Sequence, residues 1–240
     1  SPGAPRMIPL SDRPPRQRTL FPYVTVGIML ANIAVFVYQL TLSPAMLEQF
    51  VRAWGVVPIE ILSGSDVPPR IPYPVHITLL TSMFIHGGFL HIAGNMLYLW
   101  IFGDNVEDAF GHLGFLAFYL ICGIAGSLLH VFFDGGSQIP SVGASGAISG
   151  ILGAYIVFFP TSRVLTLLFI VVFVTVTRIS AAILIGVWFL LQLLNGVAGI
   201  VTTEQTVGVA YLAHIGGFVT GAAIAFFLRG STRLADAPEQ

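Results

Sequence analysis

Residues 141–154, SVGASGAISGILGA, combine a serine with a run of small side chains. The small residues recur at the spacing of one helical face after Ser145: Gly146, Ser149, Gly150, Gly153 and Ala154. Such a stripe lets the backbones of two helices approach closely, which is typical of helix contacts in membranes. In a soluble protein, Gly-Ala-Ser-Gly would instead indicate an exposed nucleophile on a tight turn. The composition and the pattern of the rest of the chain distinguish these two interpretations.

The composition favours a membrane protein. Of the 240 residues, 55% are hydrophobic and 9% are charged, whereas a typical soluble domain has about 25% charged residues. The mean hydropathy is +0.88. A net charge of -1 gives no electrostatic reason to expect nucleic acid binding. The single cysteine, Cys122, excludes an intramolecular disulfide.

Six segments approach the roughly 20 apolar residues that a spanning helix needs. They are residues 22–42, 89–108, 113–133, 143–160, 180–200 and 209–228. We therefore predict an all-α fold, a polytopic membrane helical bundle with six transmembrane helices. A further apolar stretch, VLTLLFIVVFVTVT at 164–177, is shorter and is framed by Arg163 and Arg178. Its length favours an interfacial or re-entrant segment at 163–178.

The arginines predict the orientation of the chain. All ten basic residues are arginines, and with six spans and a cytoplasmic N-terminus only Arg52 and Arg70 face outwards. This is the positive-inside bias of membrane proteins. We expect residues 1–21 to form a flexible basic cytoplasmic tail without the apolar core of a cleavable signal peptide. We expect a six-span domain at 22–228 and a second cytoplasmic tail at 229–240.

The predicted external loop at 43–88 is long enough to have structure of its own. The segment EQFVRAWGVVP at 48–58 has the pattern of an amphipathic interfacial helix, with Trp54 as an anchor among the lipid headgroups. An ordinary surface loop is the alternative.

Polar side chains inside spans are costly and are candidates for function. Three places qualify: Ser145, His214, and the pair His91 and Asn95. The members of the pair are four residues apart and share a helical face, where they form either a functional pair or a structural hydrogen bond between helices. His214 lies in line with Gly217 and Gly221 on its own helix.

A packed seam between the fourth and sixth spans would bring the His214 imidazole to the Ser145 hydroxyl. A serine hydroxyl is a weak nucleophile until a positioned base takes its proton. With six spans, both helices run from outside to inside, so Ser145 and His214 lie at similar depth. If 164–177 also crossed, they would lie near opposite faces. Spans four to six contain no Asp or Glu, which predicts a Ser-His dyad and not a triad.

The position of Ser145 also suits a reaction in which negative charge develops. The serine lies at a predicted helix N-terminus, where free N–H groups favour negative charge. His91 and Asn95 are placed to add side-chain donors to such an oxyanion site. The water for hydrolysis would enter from outside through a polar cavity.

Three segments resemble the rhomboid family of intramembrane serine proteases, in the order in which that family has them. They are HGGFLHIAGNMLYLWIFG at 86–103, GASG at 143–146 and AHIGGFVTG at 213–221. The resemblance is to the bacterial type with a six-helix core and covers about 22–228. It implies Ser145 as the nucleophile, His214 as the general base, and His91 and Asn95 as oxyanion donors. It also implies supporting positions for His86, Gly143 and Gly146.

The same resemblance implies the partners and the location of the protein. The substrates would be transmembrane proteins, cleaved near the outer membrane boundary, and the chain would lie in the lipid bilayer of a bacterial inner membrane with both termini cytoplasmic. It implies no cofactor and no metal. The oligomeric state is not predicted.

Two positions depart from a pattern found in some rhomboids. The first external loop has Trp54-Gly55 where some members have Trp-Arg, and Ser149 stands where some have a tyrosine that stacks on the catalytic histidine. These departures affect loop stability and the positioning of the histidine more than the identity of the reaction.

Other classes of membrane protein fit the sequence less well. A zinc protease would need His-Glu-x-x-His on a helix, and an aspartyl protease would need a second intramembrane aspartate beside Asp104. A transporter would show a repeated half and ion-binding carboxylates. A chaperone or scaffold that binds client helices through the same fold is the non-enzymatic alternative, and it would not react with a serine-directed probe.

Overall fold

The computed structural model describes residues 6–13, 19–65, 68, 73–170, 173–202 and 211–233. Residues 1–5, 14–18 and 234–240 of the predicted tails lie outside the described residues, as does Arg70 in the predicted external loop. Within the described residues the chain is mostly helical, which confirms that part of the prediction.

Each of the six apolar segments is a helix in the structure, and shorter helices lie between the first two. The α-helices of the described residues are α1 (Tyr23–Thr41), α2 (Pro44–Trp54), α3 (Pro58–Ser63), α4 (Thr78–Thr81), α5 (Phe89–Phe110), α6 (His112–Phe133), α7 (Ser145–Phe158), α8 (Ala181–Thr202) and α9 (Tyr211–Leu228). Single 3₁₀ turns lie at Val75–Ile77, Ser82–Phe84 and Arg229–Ser231.

Three described helices are long and apolar enough to cross a membrane: α1, α6, and α9 with the turn that follows it. A fourth candidate is the pair Val75–Phe84 and Phe89–Phe110, which is bent by 81°. Helix α7 has only 14 residues. It ends before Pro160, because the helical conformation is disfavoured for a residue that precedes proline. By length and composition, the described residues thus give three or four spans.

A three-stranded antiparallel sheet departs from the predicted all-α fold and from the flexible tail expected at residues 6–13. Its strands, β1 (Arg6–Arg13), β2 (Arg163–Ile170) and β3 (Phe173–Ser180), lie in the order β1-β2-β3. The predicted interfacial segment is a hairpin in which Arg163 pairs with Ser180. Residues 6–13, expected in a flexible tail, pair with β2. The many β-branched residues of 164–177 favour a strand, and the free edge of β2 offers β1 its hydrogen bonds.

Helices α7 and α9 pack along the two stripes of small residues. A Cβ added to Gly217 would meet the carbonyl oxygen of Gly146, and one added to Gly221 would meet that of Gly150. Residues 146–155 of α7 are all buried. The contact that lies later in α7 also lies later in α9, so the two helices run in the same direction. Ser145 and His214, near their N-termini, therefore lie at the same end of the bundle.

At the end of the bundle that holds Ser145, the chain before α7 is tied to the predicted external loop. Val56 and Ser141 form an antiparallel bridge, and the Gly143 N–H donates to the carbonyl of Ser82 at 2.9 Å. The Thr81 hydroxyl donates to the Trp54 carbonyl at 2.7 Å. The segment around Trp54 contains a helix, α2, as predicted. Its place at the membrane interface stays a prediction.

At the opposite end, buried carboxylates of α5 hold the N-terminal part of the chain. Pro22 gives α1 no side-chain cap, and Glu107 takes that role by accepting from the N–H groups of Val24 and Thr25 at 2.9 and 2.7 Å. A carboxylate at a helix N-terminus is stabilised by the free N–H groups and the helix dipole. Strand β1 is fixed close by, because the Tyr155 hydroxyl donates to Asp12 at 2.6 Å.

Candidate active site

Ser145 and His214 are in hydrogen-bond contact, with 2.7 Å between the serine Oγ and the imidazole Nε2. Ser145 is the first residue of α7, and His214 is the fourth residue of α9. The glycine contacts described above hold the two helix backbones close enough for these side chains to meet. A distance of 2.7 Å is within the range in which a base can take a hydroxyl proton.

The other ring nitrogen of His214 determines which nitrogen carries the proton. Nδ1 lies 2.7 Å from Oε1 of Gln192 on α8. An amide oxygen has no hydrogen, so Nδ1 must donate, and Nε2 is left as the acceptor for the Ser145 hydroxyl. The neutral imidazole is thereby in the tautomer that a general base for Ser145 requires.

Gln192 is not among the residues that the sequence pattern predicts for the site. It is an amide within the predicted span 180–200, so the rule that singled out Asn95 applied to it equally. What the sequence did not provide was the packing of α8 against α9, which brings together two residues that are 22 positions apart.

Two aromatic rings border the imidazole. The Trp188 ring on α8 lies 5.9 Å from the His214 ring, between centroids, at an interplanar angle of 34°. The Tyr211 ring meets it edge-on at 6.5 Å. Ser149 donates its hydroxyl to the carbonyl of Ser145 at 2.6 Å. The aromatic neighbours of the imidazole thus come from α8 and α9, and not from position 149.

His91 presents a donor towards the serine. The Gly87 N–H donates to His91 Nδ1 at 3.3 Å, so the ring hydrogen of the neutral imidazole is on Nε2. A Cβ added to Gly143 would lie 2.7 Å from His91 Nε2 and 3.6 Å from Ser145 Oγ. Gly143 thus separates the two groups with its bare Cα, and its φ of +127° is a conformation that other residues rarely adopt.

Asn95 lies one turn further along α5 and has an unused donor. Its side chain is 7% exposed, and its Nδ2 has no hydrogen-bond partner among the described residues. It lines a cavity of about 770 Å³ together with His91, Ser145 and His214. A buried donor without a partner is costly, which makes this amide a ready partner for an oxygen atom that enters the cavity.

His86 lies behind His91 and is not among the residues that line the cavity. Its ring is 1% exposed and meets the His91 ring edge-on at 5.1 Å. The amide of Gln39 on α1 holds its backbone, because it accepts from the His86 N–H at 3.1 Å and donates to the His86 carbonyl at 2.9 Å. His86 therefore supports His91, and Gln39 is a second contributor that the sequence did not reveal.

Gly146 acts through packing. It belongs to the α7–α9 contact, where its carbonyl oxygen faces Gly217. Its N–H belongs to the first turn of α7, whose N–H groups have no partner within the helix and no side-chain cap. The cavity near Ser145 is thus bordered by donors from α5 and by the N-terminus of α7.

Comparison with known proteins identifies relatives of the chain. A family model described as the Rhomboid domain matches residues 75–231. RHOMBOID-like protein 4 of Arabidopsis thaliana is 29% identical over 88% of this chain. The Rhomboid protease AarA of Providencia stuartii is 28% identical over 84% of the chain, and the Rhomboid protease GluP of Bacillus subtilis is 49% identical over 32% of it.

The matched regions are only part of most of these relatives. The chain spans 54% of the length of the Arabidopsis protein, 70% of AarA and 14% of GluP. The region that matches the family model begins at the 3₁₀ turn before α4 and ends at the turn after α9. It therefore includes all the residues that line the cavity.

Proposed function

Because the chain belongs to the rhomboid family, we propose that it is an intramembrane serine protease that cleaves other membrane proteins in or near their transmembrane segments. The observation that carries the proposal is the 2.7 Å contact between Ser145 Oγ and His214 Nε2 in a cavity bordered by hydrogen-bond donors. A protein that only bound client helices would have no need of this contact.

The chain is an integral, multi-pass membrane protein, and we propose that α1 and α5–α9, the helices of the six apolar segments, all cross the bilayer. Helix α7 is short for a span, but its buried residues face other helices. The thickness of the bilayer sets the length of a lipid-exposed helix. It does not set the length of α7, because α7 packs against other helices. We place the sheet end of the bundle, with Arg163, Arg178 and Arg229, in the cytoplasm.

In the first half of the reaction, Ser145 Oγ attacks the carbonyl carbon of the substrate peptide bond. His214 Nε2 takes the hydroxyl proton as the new C–O bond forms. The carbonyl oxygen becomes negatively charged and accepts hydrogen bonds from Asn95 Nδ2, His91 Nε2 and the N–H groups at the start of α7. These donors are fixed before the charge develops, which is why they lower the barrier.

In the second half, the imidazolium returns its proton to the leaving nitrogen as the C–N bond breaks. The Ser145 acyl ester is then hydrolysed by a water that gives a proton to the same Nε2, and this proton passes to Ser145 Oγ as the ester C–O bond breaks. No cofactor or metal takes part in this scheme. The proposed substrates are transmembrane proteins.

The test uses purified protein in detergent and a serine-directed fluorophosphonate. We expect wild-type protein to be labelled at Ser145 and to cleave members of a panel of single-span membrane proteins. Ser145→Ala should abolish both reactions, and His214→Ala should reduce both by several orders of magnitude, because the two side chains act as a unit. Ser231→Ala, at an exposed serine at the sheet end, is the matched control and should behave like wild type.

Labelling at another residue, or cleavage by the Ser145→Ala variant at a rate near wild type, would rule the dyad out. A chain that binds the single-span proteins but neither labels nor cleaves would instead be the membrane chaperone or scaffold considered above.

A further inference from the structure

Helix α8 contributes two side chains to His214 from a single face. Trp188 and Gln192 are four residues apart, so they point the same way from the helix. One lies beside the imidazole ring and the other contacts Nδ1. Much of the rest of α8 is exposed and apolar, including Ile183, Leu190 and Leu194.

Gln192 differs in its contacts from the other amide of the same helix. The Asn195 side chain donates a hydrogen bond to the carbonyl of Leu191 at 2.8 Å, so its partner lies within α8. Gln192 instead reaches α9, where its Oε1 accepts from His214. An amide in an apolar helix is costly unless it gains a partner, and Gln192 has its partner in the candidate base.

From these contacts we propose that Gln192 is a positioning residue, which holds His214 in the tautomer and orientation that let Nε2 accept the Ser145 proton. The inference rests on the proposed function. In a Ser-His-Asp triad a carboxylate acts at this position of the imidazole; here a neutral amide oxygen has that place. The two residues of the dyad therefore depend on a third helix.

The amide acts on the chemical step and not on substrate binding. Without an acceptor at Nδ1, the imidazole can carry its hydrogen on Nε2, and in that form it cannot take a proton from Ser145. The loss of a hydrogen bond at a buried donor corresponds to a fall of about ten- to a hundredfold in rate. Gln192 does not contact Ser145, so it affects the serine only through His214.

The test compares three variants in detergent by their reaction with the fluorophosphonate. Gln192→Met keeps the length of the side chain and removes the acceptor, Gln192→Glu keeps an acceptor, and Asn195→Leu removes the other amide of α8 as a matched control. The maximal inactivation rate and the half-saturating probe concentration are measured from pH 5 to 9, with thermal unfolding of each variant.

We expect Gln192→Met to lower the maximal rate by about ten- to a hundredfold at an unchanged half-saturating concentration. Gln192→Glu should restore the rate at high pH. Its carboxylate stabilises the imidazolium, so activity should be lost at a higher pH than in wild type as the pH falls. Asn195→Leu should match wild type in both measurements.

Gln192→Met at the wild-type rate, or Gln192→Glu with the wild-type pH profile, would overturn this role for Gln192 alone, since Ser145 would still be labelled. If Gln192→Met does not fold, the pH profile of Gln192→Glu decides. A wild-type protein that is not labelled at Ser145 at all would overturn the proposed function instead.

Discussion

At the scale of single residues, the polar groups around Ser145 differ in whether they have a hydrogen-bond partner. Gln192 is bonded to His214 and Gly87 is bonded to His91, whereas Asn95 Nδ2 is buried without a partner in the described part of the chain. A group that gains its hydrogen bond only when a negative oxygen forms stabilises the transition state more than the bound substrate.

Asn95→Ala should therefore lower kcat by about 10²-fold and leave KM within about twofold of wild type, because it removes one oxyanion donor. The measurement is steady-state cleavage of a single-span substrate by purified protein, with Asn195→Ala on α8 as the control for loss of an amide. An increased KM at unchanged kcat would mean that Asn95 contributes to binding in general and not to the transition state.

The sequence allowed Ser145, His214, His91 and Asn95 to be chosen, because each is a polar side chain in an apolar segment and several stand in recognisable motifs. The structure gathers these side chains around one cavity, and their catalytic roles stay predictions. Gln192 and Gln39 were not found from the sequence. Their importance lies in contacts with residues 22 and 47 positions away, and no local pattern predicts such contacts.

At the scale of helices and strands, the contact between α7 and α9 sets the distance from serine to histidine. The glycines of this contact allow the two helix backbones to touch. The carbonyl oxygens of Gly146 and Gly150 occupy the space that side chains at positions 217 and 221 of α9 would need. Close packing of this kind is a main source of helix association in membranes, where lipid is as apolar as leucine.

Gly221→Ala should separate α7 from α9, because its methyl group would meet Gly150. Overpacking costs about 1–3 kcal/mol, so we expect thermal unfolding in detergent to begin several degrees lower and fluorophosphonate labelling to slow. Gly186→Ala in α8 is the matched control: its methyl group would meet nothing within 4 Å, and alanine is the better helix former. Equal unfolding temperatures for the two variants would contradict a tight seam.

The six apolar segments were predictable as helices because length and composition are local properties. The sheet was not predictable in the same way. Strand β1 pairs with a strand at least 150 positions away in the sequence, from Arg13 opposite Arg163 to Arg6 opposite Phe169, and no feature of residues 6–13 identifies that partner. For the stretch at 164–177, length indicated an interfacial or re-entrant segment. The structure shows it as a hairpin, and its place at the membrane interface stays a prediction.

At the scale of the whole molecule, the two ends of the bundle have different chemistry. Ser145, His214 and the bridge from Val56 to Ser141 lie at one end. The sheet and the buried carboxylates Glu107 and Asp108 lie at the other. We therefore expect the arginine-rich sheet end to be the cytoplasmic one, as the positive-inside rule predicts.

Single cysteines should report this orientation in a Cys122→Ala background. Arg163→Cys and Arg178→Cys should both react with an impermeant maleimide only from the cytoplasmic side, because both lie at the open end of one hairpin. Glu48→Cys, on an exposed position of α2, should react only from the opposite side and serves as the control. Labelling of positions 163 and 178 from different sides would exclude six spans.

The distance along the chain between the two paired side chains has a consequence for biosynthesis. Ser145 and His214 are 69 positions apart, and His214 lies on the last long helix of the described residues. On the proposed function, a ribosome-bound chain therefore presents its serine to the membrane before its base has been translated, and it cannot cut neighbouring proteins or other nascent copies. Proteolytic competence would arrive only with insertion of α9 against α7, so the order of synthesis itself delays the enzyme until its core is assembled.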